Sequence, residues 1–571
     1  MLPINIDNLS SYLKPPLGYR FDKGFTTTYS LHLDILLTMP MFLDGKLSEE
    51  NAVIQNYAGV VKAINSFRDK FKVYVQKGEI QTSLLGSKKA SRLYELLRPM
   101  IKEIPKDTKK SSFHPKLWLL RYEREDKKTK KYRLIILSKN LTNSKDLDIA
   151  IVFDGKVSNK SKHQHINKSL FYFTDKVLED NIFTKKDLED LEHIAWDNVD
   201  GYNLENLYIL PRDSKDLAFV EDNKIKNKTV VFSPFISNNL FNNNITLVTR
   251  EEELNKKVCK NIYTVNSSLI EEDEININLE MFSKDESPNE KVFINQLHAK
   301  IYVYTYNGKN WLTFGSANAT NRGLFKNNEL LVELHAPSNF YRDTKKYIET
   351  NKFFTEYIVD NNEEFDDSGE ENSQEILDEL DTLKREILDI KIEVRYESQT
   401  LMLISQIEDV TDAITIEVTP SSKVSFKNFI SELSWKVKNT EVTGWFRFKL
   451  KKDGQSREFL LNDENFKLDK NYLKSIDKEA TDKSSEYLKA NIFALLTDGN
   501  ITKSKMRETI KQEMEDGMHN HCSKSSNTQE YIYDLMLDKY AMNKSEYNTL
   551  LRLFKKVDEY KPLLEILPKA R

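Results

Sequence analysis

Two short histidine motifs with matching surroundings constrain this sequence more than any other feature. His114-Pro115-Lys116 is followed by Ser138-Lys139-Asn140, and His298-Ala299-Lys300 is followed by Gly315-Ser316-Ala317-Asn318. In both copies an apolar run follows the lysine, a polar turn follows that run, and a second apolar run ends at the serine and asparagine. This order predicts a β-hairpin in each copy, with the end of the return strand beside the histidine.

The spacing within each motif also predicts where the side chains point. Histidine and lysine are two residues apart, and residues i and i+2 of a strand point to the same face. We therefore expect the two copies to form one active site split over two halves of the chain. The predicted catalytic residues are His114, Lys116, Asn140, His298, Lys300 and Asn318, with Ser138 and Ser316 in support.

These residue types suit a phosphate diester. Ammonium groups and neutral amide or hydroxyl donors bind the non-bridging oxygens, where charge builds up in the transition state. One imidazole can attack phosphorus and form a phosphohistidine, while the other protonates the leaving oxygen. An imidazole titrates near neutral pH, so one ring can be neutral while the other is charged. This chemistry requires no metal and no cofactor.

The paired motifs resemble those of the phospholipase D superfamily, whose members join two His-x-Lys motifs across a bilobal, pseudo-twofold fold. The Asp that this family carries five residues after the lysine is replaced here by Arg121 and Thr305. That departure is similar to the tyrosyl-DNA phosphodiesterase branch and related nucleases, in which a downstream Asn completes the motif. The resemblance implies that His114 is the nucleophile and His298 the general acid, with the reverse order as the alternative.

The resemblance also implies an acidic residue beyond each Asn that orients an imidazole through Nδ1, often that of the opposite lobe. We expect Asp148 to pair with His298 and Glu329 with His114, by analogy with carboxylate-oriented imidazoles elsewhere. Glu333 is a further acidic residue beyond the second motif. The alternative for each carboxylate is a solvated charge at a strand end.

The implied fold is α/β: a bilobal phospholipase D-like fold with two pseudo-twofold related mixed sheets flanked by helices, a small all-β domain and a C-terminal helical domain. A chain of 571 residues exceeds what one core usually serves. The expected division is residues 1–165 for the first lobe, 166–358 for the second, 373–465 for a helix with a β-sandwich-like domain, and 466–571 for the helical domain. An acidic stretch at 360–372 predicts a linker before the third of these.

Local patterns give further expectations. Alternation at 26–34 followed by an apolar run at 36–42 predicts strand structure, and 175–194 predicts a helix that bridges the lobes. Apolar residues at helical spacing over 376–390 predict a helix, and a period of two over 392–461 predicts a small antiparallel sandwich or barrel.

The charge balance places any nucleic-acid contact locally. The formal net charge is only −4, so the global charge favours no particular partner. Lys109 and Lys110 precede the first motif and Lys139 lies within it, where they can guide a polyanion. A solvated lysine-rich loop is the alternative.

Cysteine usage and hydropathy indicate a cytoplasmic location. Cys259 and Cys522 are the only cysteines, too few for a disulfide framework. The amino terminus has no signal-peptide pattern, and no run approaches the ~20 apolar residues of a membrane span. A cluster at His519, His521 and Cys522 falls short of the four ligands of a structural zinc site, so no metal is expected.

The predicted function is a metal-independent phosphodiesterase or nuclease that acts on DNA, single- or double-stranded, through a covalent phosphohistidine. The resemblance implies a role in restriction or antiviral defence. The sequence has no Walker A motif, so a helicase or ATPase partner would be a separate chain. The alternatives are a phospholipase D-type lipid phosphodiesterase, for which no basic amphipathic interfacial helix is evident, and a DNA-binding or scaffold component of a multiprotein defence complex.

Overall fold

The structure is a computed structural model. It describes residues 12–43, 57–82, 88–105, 111–142 except 125, 127 and 128, 147–158, 162–265 except 200 and 257, 297–357, 370–405, 414–468, 536 and 551. The chain divides into two compact units, residues 1–52 with 63–472 and residues 53–62 with 473–571. The second unit lies almost entirely outside the described residues, as do Lys109, Lys110, Cys522 and most of the predicted linker.

The first unit is a mixed α/β structure with several multi-stranded sheets. Its first part contains the strands β1 (Tyr19–Thr28), β2 (Leu31–His32), β3 (Phe71–Gln76), β4 (Ile80–Gln81), β5 (Ile101–Ile104), β6 (Leu117–Arg124), β7 (Lys130–Leu137), β8 (Ala150–Val157) and β9 (Ile194–Trp196). The helices in this stretch of the chain are α1 (Leu33–Leu43), α2 (Tyr57–Phe67), α3 (Lys88–Leu97), α4 (Gln164–Tyr172) and α5 (Lys185–Leu191). Residues 57–62 of α2 belong to the second unit.

The next part of the chain builds a second large sheet. Its strands are β10 (Asn203–Leu210), β11 (Val220–Glu221), β12 (Lys224–Ile225), β13 (Thr229–Phe232), β14 (Thr246–Thr249), β15 (Asn261–Val265), β16 (Ile301–Tyr306), β17 (Lys309–Gly315), β18 (Glu329–Ala336) and β19 (Phe354–Tyr357). Its helices are α6 (Asn321–Phe325) and α7 (Phe340–Thr350).

The two large sheets share one strand order. From one edge to the other, the first sheet has the order β5-β3-β1-β6-β7-β8-β9. The second sheet has the order β19-β15-β14-β13-β16-β17-β18-β10, in which β19 is an additional edge strand and the other seven correspond in turn to those of the first sheet. Three neighbouring strands are parallel in each sheet, β1, β3 and β5 in the first and β13, β14 and β15 in the second. The remaining neighbours are antiparallel in both. Strands β6 and β7 of the first sheet therefore correspond to β16 and β17 of the second.

One hydrophobic core lies between the two sheets. The first sheet contributes Phe25, Leu119 and Leu134, and the second contributes Val303 and Val332. Apolar residues on one face of each strand alternate with residues of the other face, so each sheet buries one side against its counterpart. The outer face of the second sheet has a core of its own, formed under the segment around Leu217 and Phe219.

Two small sheets follow in the third part of the chain, after helix α8 (Glu370–Asp389). Their strands are β20 (Ile392–Glu397), β21 (Thr400–Ser405), β22 (Thr415–Pro420), β23 (Lys427–Asn428), β24 (Glu432–Lys436), β25 (Trp445–Lys452) and β26 (Gln455–Asn462). Four of their aromatic residues are buried in pairs: Trp435 packs on Phe446, and Phe448 stacks on Phe459. These side chains fill an interior and are not exposed for stacking on a ligand.

Two local expectations differ from the structure. The apolar run at 36–42 is part of helix α1 rather than a strand. The segment 175–194 is not one helix, because it ends in α5 and leads directly into strand β9, which pairs with β8. Strand β9 therefore belongs to the first sheet although it lies beyond residue 165.

Candidate active site

Each His-x-Lys motif lies in extended chain just before the first strand of a hairpin. Strand β6 begins at Leu117 and β16 at Ile301, so His114 and His298 each stand three residues before a strand rather than within it. The return strands β7 and β17 end at Leu137 and Gly315, immediately before the serine of each motif.

Backbone hydrogen bonds connect each histidine to the other sheet. The His114 N–H donates to the carbonyl oxygen of Asn328 over 2.9 Å, and Asn328 directly precedes Glu329. The His298 N–H donates to the carbonyl oxygen of Leu147 over 2.9 Å, and Leu147 directly precedes Asp148. The two motifs are thus brought together by a matched pair of main-chain contacts.

His114 is paired with the carboxylate of Glu329. Its Nδ1 atom lies 2.8 Å from Glu329 Oε2, and the Glu329 side chain is only 1% exposed. An ionised carboxylate can only accept, so Nδ1 carries the proton and Nε2 keeps its lone pair when the ring is neutral. Burial lowers the pKa of His114, and the Glu329 charge opposes that shift.

His298 has different neighbours. Lys300 Nζ lies 3.2 Å from His298 Nδ1 and donates to the carbonyl oxygen of His298 over 2.6 Å. Burial, followed by the charges of Lys300 and Lys116, lowers the pKa of His298 far below its ordinary value. The two imidazoles therefore have different polar neighbours at Nδ1, the Glu329 carboxylate with Lys116 at His114 and Lys300 at His298.

The expected partner of His298 lies elsewhere. Asp148 accepts a hydrogen bond from the Ser138 hydroxyl, and no contact described for it joins it to His298. Burial raises the pKa of Asp148, while Ser138 and then Lys300 lower it. Asp148 is thus within electrostatic reach of the ammonium groups without orienting the imidazole.

Both lysines of the motifs are buried. Lys116 is 0% and Lys300 is 1% exposed. Lys116 Nζ lies 3.0 Å from Nδ1 and 3.1 Å from Nε2 of His114. Burial lowers the pKa of Lys116 well below its usual value, and Lys300 lowers it further against the opposing charge of Glu329. Burying a cation is costly, and a bound anion offsets that cost.

The two asparagines are held by matched contacts, and each has a side-chain oxygen without a hydrogen-bond partner among the described residues. The hydroxyl of Thr28, at the end of β1, accepts from the N–H that follows Asn140 over 3.1 Å. The hydroxyl of Ser233, after β13, accepts from the N–H that follows Asn318 over 2.8 Å. Both asparagine Oδ1 atoms are buried and have no hydrogen-bond partner among the described residues. Because the ends of an amide are interchangeable by rotation, each site can present an NH₂ donor to a ligand instead.

The serines of the motifs connect neighbouring strands. Ser138 and Ser316 are both fully buried. The Ser316 hydroxyl accepts from the Leu330 N–H over 2.9 Å, and the Ser138 hydroxyl accepts from the Ile149 N–H over 3.4 Å. Gly315 allows the close approach in the second sheet, since a Cβ there would lie 2.2 Å from the Leu330 carbonyl oxygen. These hydroxyls fix the strand ends that carry the asparagines.

The remaining sequence candidates lie apart from this cluster or outside the described residues. Lys109 and Lys110 are not described, and Lys139 is half-buried beside Asn140. Glu333 accepts hydrogen bonds from Tyr208 and Asn206 on the outer side of the second sheet. Arg121, which stands where the resembled family has Asp, forms ion pairs with Asp22 and Asp187.

Two residues near the histidines were missed by sequence reasoning. The ring of Tyr29 lies 5.0 Å from the ring of His114, and Arg250 donates to the carbonyl oxygen of Leu297 over 2.8 Å. Each follows the end of a strand in the parallel part of its sheet. That position is a signal, but only once the strand order is known.

In the described parts of the chain, no group of three or more His, Cys, Asp or Glu side chains could hold a metal ion. In the same parts, no helix has the length and apolar character needed to cross a membrane.

Comparisons with known proteins give weak similarities. No protein-family model matches the sequence, and no curated protein matches it. Among solved structures, a mutant of the yeast tyrosyl-DNA phosphodiesterase is 11% identical, with a TM-score of 0.34 over 57% of this chain and 84% of that chain. The polyphosphate kinase of Porphyromonas gingivalis is 11% identical, with a TM-score of 0.32 over 66% of this chain and 52% of that chain. At this level of similarity, function has to be inferred from the geometry of the chain's own side chains.

Proposed function

We propose that this protein is a phosphodiesterase that cleaves DNA through a covalent phosphohistidine at His114. The observation that carries the proposal is the cross-sheet pair of His114 and Glu329 beside two buried ammonium groups, Lys116 and Lys300. A carboxylate on Nδ1 favours a lone pair on Nε2, as a nucleophilic imidazole requires. The buried cations provide the binding energy for the anionic diester.

The reaction has two balanced steps. His114 Nε2 attacks phosphorus, the bond from phosphorus to the leaving oxygen breaks, and His298 gives that oxygen a proton. Water then attacks phosphorus, His298 takes a proton from the water, and the bond between nitrogen and phosphorus breaks. The NH₂ groups of Asn140 and Asn318, with the two lysines, hold the non-bridging oxygens in both steps.

The bilobal, pseudo-twofold organisation is part of the same proposal. The shared strand order supports it, as do the matched hydroxyl contacts of Thr28 and Ser233. Because β9 pairs with β8, we place the boundary between the lobes after residue 196 and not at 165.

DNA as the substrate, and a role in restriction or antiviral defence beside a separate helicase or ATPase, are supported by the motif resemblance and by the lysines near the first motif. Lys139 is adjacent to Asn140, and Lys109 and Lys110 precede His114 by a few residues. Such lysines attract the phosphate backbone without reading its sequence.

Trapping the intermediate tests the proposal. Labelled single- and double-stranded DNA and phosphatidylcholine vesicles are incubated with the protein in EDTA, beside His114→Ala, His298→Ala and the exposed control His193→Ala. We expect the wild type and His193→Ala to cleave DNA, both site variants to be inactive, and an acid-labile phosphoryl adduct on the peptide that contains His114.

Three outcomes would overturn the proposal. Choline release without DNA cleavage would replace it with a lipid phosphodiesterase. DNA binding without cleavage by any of the proteins would replace it with a binding component. Cleavage that persists in both His114→Ala and His298→Ala would remove the proposed catalyst.

A further inference from the structure

An exposed aromatic ring stands beside a cation near the second motif. Phe235 is 45% exposed, an unusual state for phenylalanine in a folded protein. The guanidinium carbon of Arg250 lies 4.9 Å from the centre of its ring, within the range of a cation–π contact. One face of the ring is therefore covered by a cation, and the side chain remains accessible.

This pair is tied to the residue next to His298. Arg250 Nε donates to the carbonyl oxygen of Leu297, which directly precedes His298. Its charge is also among those that lower the pKa of His298, after burial and the larger effects of Lys300, Lys116 and His114. Arg250 is therefore within electrostatic reach of the proposed general acid.

The backbone that carries Phe235 is fixed in place. The Ser233 hydroxyl donates to the carbonyl oxygen of Phe235 over 2.7 Å while it accepts from the N–H that follows Asn318. The next N–H, that of Ile236, donates to Glu253 over 2.8 Å. The backbone that carries the ring is thus held by the same hydroxyl that fixes the chain after Asn318, which limits the backbone entropy lost on binding.

The first lobe has no such pair. Register places Ser30 at the position of Phe235, and Ser30 is 8% exposed. Register likewise places Gln76 at the position of Arg250, where it accepts from the Phe113 N–H over 2.7 Å. At these equivalent positions the pair of ring and cation is present only beside His298, while the first lobe has the ring of Tyr29 beside His114.

We propose that Phe235 and Arg250 form a binding subsite for an unpaired nucleotide next to the scissile phosphate, on the leaving-group side. The base stacks on the Phe235 ring, and Arg250 pairs with the neighbouring phosphate. Stacking on a protein ring requires a base that is not stacked within a duplex, so the subsite selects single-stranded DNA. This inference rests on the proposed function, since the leaving-group side is defined by His298 as general acid.

Binding by a catalytically inactive chain tests the subsite without cleavage. Full-length His114→Ala is the parent, and fluorescence anisotropy is measured with labelled (dT)12, an abasic oligomer of equal length and a 12-base-pair duplex, in EDTA at several salt concentrations. The variants are Phe235→Ala, Phe235→Tyr and Arg250→Gln, which introduces the residue of the first lobe. Tyr306→Ala is the matched control, since Tyr306 is 42% exposed at a hairpin tip.

We expect Phe235→Ala to weaken (dT)12 binding about tenfold, the loss of one stacked base, and to leave binding of the abasic oligomer unchanged. Phe235→Tyr should bind like the parent. Arg250→Gln should weaken both oligomers and reduce the salt slope by about one. Tyr306→Ala should have no effect.

Several results would overturn the subsite. These are a parent that does not bind (dT)12, equal losses of (dT)12 and abasic oligomer in Phe235→Ala, the same loss in Tyr306→Ala, or a duplex bound as tightly as (dT)12. Failure of the proposed function would instead appear as the absence of cleavage by the chain with His114 intact, which this binding assay does not measure.

Discussion

The imidazole of His114, in front of the first large sheet, donates from Nδ1 to the carboxylate of Glu329 in the second large sheet, 2.8 Å away. The corresponding carboxylate of the other half, Asp148, is bonded to Ser138 instead. The two halves thus share a frame but give their imidazoles different partners. We therefore make separate predictions for the two carboxylates, Glu329 and Asp148.

Glu329→Gln keeps the shape of the side chain but removes the charge that holds the proton on His114 Nδ1. We expect kcat to fall about 10- to 100-fold, the usual cost of losing a partner that orients an imidazole. Asp148→Asn should lower kcat clearly less, because Asp148 accepts a hydrogen bond from the Ser138 hydroxyl rather than from an imidazole. Steady-state kinetics on a labelled oligonucleotide measure both, and equal losses in the two variants would contradict the assignment.

Lys300→Met should lower the activity strongly while it changes the stability of the fold very little. Lys300 is a buried cation whose charge disfavours the protonated forms of both His114 and His298. The substitution removes the desolvation cost of a buried charge but also its hydrogen bond to the His298 carbonyl, so we expect the free energy of unfolding to change by less than about 1 kcal/mol. Activity should fall by about 100-fold or more, because a donor to the developing charge is lost.

Urea denaturation and kinetics check this prediction together. Lys309→Met is the control, because Lys309 is exposed at the tip of the hairpin and should change neither property. A marked loss of stability in Lys300→Met would show that the ammonium group is a structural element rather than a binding element.

The pH dependence should differ between kcat/KM and kcat. Burial, Lys300 and Lys116 lower the pKa of His298, so in the free enzyme its protonated form is lost as pH rises through a value below the ordinary one. A bound diester anion attracts the proton and raises that pKa. Because kcat/KM reports the free enzyme and kcat the complex, the descending limb of kcat should lie at the higher pH.

An NMR titration of the His298 ring tests the same shift without catalysis. Addition of inorganic phosphate should raise its pKa, and Arg250→Gln should raise it in the phosphate-free protein, since Arg250 is one of the charges that lower it. A His298 pKa that stays near the ordinary value in all these samples would refute the electrostatic description of the site.

Anion binding should stabilise the fold. Phosphate or orthovanadate bound between Lys116 and Lys300 raises the unfolding free energy by about 2.7 kcal/mol at a hundredfold excess over Kd. Thermal unfolding in phosphate, compared with chloride at equal ionic strength, measures the effect. The shift should be much smaller in Lys300→Met; a shift of the same size there would place the bound anion elsewhere on the protein.

Sequence reasoning located the two motifs because a repeated residue order is visible without any knowledge of the fold. The apolar stretch at 36–42 was misread, since helix α1 is buried and carries almost no polar residues to mark a helical period. Strand β9 was missed because its three residues are too few to show alternation.

Contacts between the halves were harder to predict than the motifs. The partner of Asp148 is ten residues away on the neighbouring strand, so a local hydroxyl replaced the distant imidazole that the resemblance implied. Tyr29 and Arg250 reach the histidines from strand ends separated from them by many residues. Such proximity follows from strand order, which no single stretch of sequence contains.

The main-chain bonds from His114 to Asn328 and from His298 to Leu147 join the two large sheets on both sides of the catalytic residues, above a core that both sheets share. A hinge motion that separated the halves would have to break these bonds and expose that core. The frame that holds His114 and His298 is therefore preset. Under the proposed function, a DNA strand would enter this frame from solvent, and the flexibility of the strand would supply the adjustment that the protein does not make.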